Sequence, residues 1–177
     1  MENLIQIEAL FEILESKDNK LRYEAFQKLL FLTEKKVTWI YDFWQMLVEK
    51  LRSDNSYQRS IGFLLLANLS ASDSENKFPE ILDDYIGLLN DEKFITSRQC
   101  IQKVWKVALN CEQCRGEIVE ALKNTYYNNI HLATHGNLIK EDVISSLNFI
   151  SKHGSIEAFT WVNTLIVSET DVKLVKN

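Results

Sequence analysis

A basic residue recurs along this chain at the spacing a helical repeat demands. The strings Arg22-x-x-Ala25-x-x-x-Leu29, Arg59-x-x-Gly62-x-x-x-Leu66 and Arg98-x-x-Ile101-x-x-x-Trp105 align, and Lys140-x-x-Val143-x-x-x-Leu147 follows more loosely. The basic position advances by 37, then 39, then 42 residues. An acidic residue (Asp18, Asp54 or Asp91) precedes the first three in the adjoining turn. Two helices per interval of about 40 residues is the arithmetic of an α-solenoid. One helix pair cannot bury its own apolar face, so pairs must stack on neighbours to make a continuous core.

The intervals fill with helix signals. Leu4, Ile7, Phe11 and Leu14 share one helix face, as do Phe78, Leu82, Tyr85 and Leu89, and Ile139, Val143, Leu147 and Ile150. Trp39, Phe43, Leu47 and Leu51 form a core stripe, while Tyr41, Trp44 and Val48 form a second one that a helix sandwiched between neighbours would bury. Asp18, Thr38, Ser56 and Ser155 suit N-caps, Thr96 with Gln99 suits a capping box, Pro79 suits a first turn, and Gly154 suits a helix stop. The expected fold is all-α: about nine helices forming one domain over residues 1–177, a right-handed α–α superhelix of about four and a half helix pairs.

Over nearly its whole length the chain resembles HEAT-like repeat proteins. A narrower resemblance covers 54–150. There Ser53-Asp-Asn-Ser-Tyr-Gln-Arg59, Glu75-Asn-Lys77, Asp83-Asp-Tyr85 and Asp91-Glu-Lys-Phe-Ile-Thr-Ser-Arg-Gln-Cys-Ile-Gln102 are similar to small HEAT-like proteins of Gram-positive anaerobes. Some of those are labelled "SufBD protein", a label that implies an accessory role in iron–sulfur assembly. Nothing in that family matches the Cys111/Cys114 pair, and the resemblance implies no enzymatic activity.

Composition closes several other routes. With 5 glycines and 1 proline in 177 residues, the chain lacks the turn residues of a β-sandwich or barrel and the glycine-rich loops that cradle phosphates. Its formal net charge of −5 argues against a nucleic-acid binder, whose affinity rests on neutralising phosphates. The longest apolar run, Ile61 to Ala67, is far short of a membrane span. Met1-Glu2-Asn3-Leu4 does not read as the start of a signal peptide, so a soluble cytoplasmic protein with reduced thiols is expected.

Few constellations suggest chemistry. Cys111-x-x-Cys114 with His131-x-x-x-His135 imitates a zinc spacing. However, Arg115–Tyr127 reads as a helix about 20 Å long that would hold the two halves apart, so no metal or other cofactor is expected. The Cys pair reads as packing and surface, and Cys100 as core. There is no nucleophile elbow, and Asp83-Asp84 and Asp91-Glu92 read as solvated turn charge, so no catalytic residue is assigned.

The remaining expectation is a non-catalytic scaffold that holds a protein or peptide segment in a groove walled by the second helices. Arg59, Phe63, Arg98 and Gln102 are the candidate contacts, because positions four beyond each basic residue lie about 80° off the core stripe. An alternative role for Arg59 and Arg98 is structural: each would bond a turn carboxylate, Asp54 or Asp91, and tie repeat to repeat. A rival function is DNA binding of the kind found in HEAT-like alkylpurine DNA glycosylases, for which Lys93, Arg98, Lys103 and Lys106 supply the one basic stripe. Sequence does not determine the oligomeric state.

Overall fold

The computed structural model describes residues 4–129 and 134–168, and among these no strand occurs. The chain forms α1 (Leu4–Ile13), α2 (Asn19–Leu32), α3 (Ile40–Leu51), α4 (Ser56–Leu69), α5 (Phe78–Gly87), α6 (Phe94–Ile101), α7 (Trp105–Asn110), α8 (Glu112–Asn128), α9 (Thr134–Lys152) and α10 (Ile156–Ser168). Short 3-10 turns at Ser70–Ser72 and Leu88–Asn90 close α4 and α5. No helix among the described residues is long and apolar enough to cross a membrane.

Helix boundaries follow local chemistry. Asp18 caps α2 by accepting from the N–H groups of Lys20 and Leu21, and Ser155 Oγ accepts from Ala158 N at the start of α10. Gly154 takes φ +102, the left-handed conformation that stops α9. Pro79 lies in the first turn of α5. Other caps differ from expectation. Asn55, not Ser56, caps α4, and Trp39 precedes α3 with no side-chain cap at all. The Thr96–Gln99 box does not form: α6 has already begun at Phe94, and the Thr96 hydroxyl instead meets Ser60 Oγ of α4 at 3.3 Å.

The helices pack as pairs in two rows. α1 lies on α2, α3 on α4, α8 on α9 and α9 on α10. Along one row α2 touches α4, α4 touches α6, and α6 touches α9; along the other, α3 touches α5 and α5 touches α8. Core residues sit where the periodicity puts them. Leu29, Leu66, Ile101, Val143 and Leu147 are fully buried, and Trp39, Phe43, Trp44 and Val48 are buried on both stripes of α3. Gly62 marks the tightest crossing: a Cβ there would meet Leu47 O at 2.8 Å and Lys50 Cβ at 2.9 Å, so only glycine lets α3 and α4 approach this closely.

Polar side chains tie each pair to the next. Asn68 Nδ2 donates to Leu30 O and Thr33 Oγ1, 38 and 35 positions back, at 3.1 Å each. Its Oδ1 accepts from Lys106 Nζ, 38 positions on, at 2.5 Å. Tyr41 donates to Asp73, 32 positions on, and Asn90 to Thr125, 35 positions on. Gln58 donates to Leu14 O, 44 positions back. These bridges join residues 32 to 44 positions apart.

One departure matters for the site. The second helix of the third interval is broken, with α6 and α7 separated by Gln102–Val104. There the Lys103 and Val104 N–H groups both bond Cys100 O, at 3.1 and 3.0 Å, which tightens the turn. The Trp105 indole N–H donates back to Gln102 O at 3.0 Å.

Candidate functional site

Of the four candidate contacts, the structure brings two together. Arg98 Nε and Nη2 donate to the Asp142 carboxylate at 2.5 and 3.1 Å, and Gln102 Nε2 donates to the same group at 2.9 Å. Asp142 lies in α9, so Arg98 and Gln102 clamp α6 to that helix. Arg98 also lies 5.7 Å from the Phe94 ring centre. Its carboxylate is therefore neither Asp54 nor Asp91.

Arg59 does the equivalent work one interval earlier. Its guanidinium takes Asp91 through two bonds, 2.6 Å to Oδ2 and 2.9 Å to Oδ1. The remaining Nη1 donates to Ser53 O at 2.8 Å and Asp54 O at 3.1 Å. The Arg59 side chain is 10% exposed and that of Asp91 2%, which makes this a largely desolvated pair. Burial works to raise the Asp91 carboxyl, but the bonds from Arg59 and the Lys93 N–H outweigh it and hold the pKa below its ordinary value. Arg22, the first member of the series, lies over the Tyr57 ring at 4.8 Å.

Phe63 does not face a groove. It is fully buried, and its ring stacks on Tyr85 of α5 at 3.9 Å with an interplanar angle of 10°. The 80° offset from the core stripe points toward the neighbouring pair rather than toward solvent. A second helix in a two-row array has apolar neighbours on more than one side, and the spacing within a single helix does not reveal this.

The surface on this side of the molecule is built by residues around the broken helix. Trp105 stacks on Phe149 of α9 at 4.8 Å and 17°, and Phe149 remains 44% exposed. Lys106 Nζ sits 5.8 Å from the Trp105 ring centre. Burial and the nearby charge of Lys103 push the Lys106 ammonium down, while Glu34 acts in the opposite sense. Lys103 is exposed beside it. Phe149 falls off the α9 core stripe, so spacing alone gives it no role; that role appears only with Trp105 placed against it. Nearer the helix starts, a shallow cleft of ≈ 420 Å³ opens between α4 and α6, lined by Tyr57, Ser60, Lys93, Phe94, Ile95 and Gln99 among others.

The imitation of a zinc spacing comes apart. Cys111 and Cys114 are joined as a disulfide at the start of α8, with Cα atoms 5.3 Å apart, in place of the expected reduced thiols. His135 stacks on Phe94 at 4.3 Å, and His131 lies outside the described residues. Among the described residues, no group of His, Cys, Asp and Glu could hold a metal ion. Cys100 is a free buried thiol whose pKa burial pushes up.

Neither a known protein family nor a curated protein sequence matches this chain. The crystal structure of an engineered protein, a Northeast Structural Genomics Consortium target, is similar in fold. It is 17% identical with a TM-score of 0.57, and the match covers 96% of this chain and 76% of that one. At that identity the likeness bears on the all-helical arrangement alone.

Proposed function

We propose that the chain is a non-catalytic protein-binding scaffold: a short right-handed HEAT-like solenoid of about four and a half helix pairs, forming one domain, that holds an acidic segment of a partner protein. The observation that carries this reading is the basic and aromatic surface of Lys103, Trp105, Lys106 and Phe149. Exposed aromatics are the residue type that anchors interfaces. The exposed Lys103 ammonium is favourable to a carboxylate partner and adds to the encounter rate, while Lys106 is held inward by Asn68.

In this reading Arg98 and Gln102 act from beneath. By gripping Asp142 they fix α9 against the broken helix, so the Trp105–Phe149 stack is rigid before a partner arrives and little ordering entropy is lost on binding. Arg59 does the same between α4 and α6. Phe63 belongs to the core and makes no contact with the partner in this reading.

The test is affinity capture from native extract with nuclease present, comparing the wild-type chain with Lys103→Glu. A protein retained by wild type and lost by the variant, which keeps its thermal unfolding midpoint, supports the scaffold. Partners released by nuclease from both proteins would replace this reading with the DNA-binding one.

A further inference from the structure

We propose that Cys111 and Cys114 form a reversible thiol–disulfide site whose co-reactant is a low-molecular-weight thiol–disulfide couple of the glutathione type. The proposal stands apart from the scaffold reading and rests on where the pair sits. Cys111 is the N-cap residue of α8 and Cys114 lies in its first turn, three positions on, with Cα atoms 5.3 Å apart. That separation suits a disulfide without backbone movement.

Three observations argue against a simple staple. The bridge closes a loop of minimal length, so it restrains little of the unfolded chain. It belongs to no wider framework, since Cys100 is free. And it leaves α8, a helix of 17 residues, with no side-chain cap, although Cys111 has the extended backbone of a cap (φ −115, ψ 99). On reduction, a Cys111 thiolate would be free to accept from the open N–H groups of that first turn, where the helix dipole also stabilises negative charge. Glu112 in the same turn opposes this. Arg115, held by a bond from its Nε to Ala108 O at 2.9 Å, favours it.

The two sulfurs are also unequal. As whole residues both are buried, but Cys111 keeps 5% exposure where Cys114 keeps none; the proposal gives the attack to Cys111, which the small disulfide meets first, and the resolving step to Cys114. In the oxidising direction, the Cys111 thiolate attacks one sulfur of the small disulfide, forms a mixed disulfide and releases one thiolate. Cys114 then loses its proton and attacks Cys111 Sγ, expelling the second. The sum is one dithiol and one small disulfide giving one protein disulfide and two small thiols.

The experiment equilibrates the full native chain with reduced and oxidised glutathione across a series of ratios, quenches with acid, alkylates, and reads intact mass. Alkylation under denaturing conditions reads the distribution directly: both cysteines are expected to convert together, so that reduced molecules carry three labels and oxidised molecules one, on Cys100. Cys114→Ser, checked for native helix content by circular dichroism, is expected to accumulate one glutathione on Cys111, whereas Cys111→Ser accumulates none in the same time. If Cys114→Ser fails to fold, Cys114→Ala takes its place. A pair that stays in one state at every ratio until the protein is denatured, or a folded Cys114 variant that takes up no glutathione, overturns the proposal.

Discussion

Asp91 receives the Arg59 guanidinium from 32 positions away and, with the same carboxylate, accepts the Lys93 N–H at 2.8 Å just ahead of α6. Removing it strands a desolvated cation and loosens a helix start in one step. Asp91→Ala is expected to cost about 3–5 kcal/mol, read from urea unfolding. A loss below about 1 kcal/mol would mean that Arg59 finds water or Glu92 instead.

The same carboxylate sets an acid limb. Its pKa is depressed in the folded chain, so its contribution to stability is fully present above the unfolded value of about 3.9. That contribution is lost as pH falls through the lower folded value. Asp91→Asn should therefore be less stable than wild type at neutral pH, with the gap narrowing as the pH is taken below 4. Parallel acid-limb curves for the two proteins would remove Asp91 as the responsible group.

Two glycines should respond with opposite sign. Gly62→Ala drives a methyl into Leu47 O and Lys50 Cβ. This overpacking costs about 1–3 kcal/mol, more than the gain of about 1 kcal/mol in helix propensity. Gly116, inside α8, has nothing within 4 Å of its would-be Cβ, so Gly116→Ala should stabilise by about 0.5–1 kcal/mol. Thermal melts of the two variants decide both.

Phe63→Ala should behave as a core lesion. The lost stack on Tyr85 and the cavity left behind are worth about 3–5 kcal/mol. Phe63→Leu should recover most of that stability, and its partner capture should match wild type. Capture lost in a well-folded Phe63→Leu protein would return Phe63 to the binding surface.

Arg98 and Asp142 can be tested by exchange. Arg98→Asp alone sets two carboxylates against each other and should cost about 2 kcal/mol or more. Adding Asp142→Arg should restore part of the loss. Failure of the second change to help would show that the pair is held by its surroundings rather than by its charges.

The helices and their core stripes were legible because each is written in local spacing. Ile139, Val143, Leu147 and Ile150 needed no knowledge of the rest of the chain, and Asp18 and Gly154 act within a few residues of themselves. What sequence could not reveal lies between helices. Arg98 was matched to nearby turn acids because proximity along the chain was the available guide, yet Asp142 is 44 positions away on α9. Phe63 was placed by its angle on one helix, and Tyr85 of the next pair supplied the neighbour that buried it. The Thr96 box failed for a related reason: α6 starts earlier, and the hydroxyl found Ser60 across the gap.

Asn68, bonded at once to Thr33 behind it and Lys106 ahead, shows how cooperativity must travel in this molecule. In the proposed solenoid, such a bridge couples each pair to its neighbours, so order is handed on link by link. Melting then enters from the ends, where a pair has one neighbour in place of two. Amide exchange should be slowest around α4 and α6 and quicken toward α1 and α10.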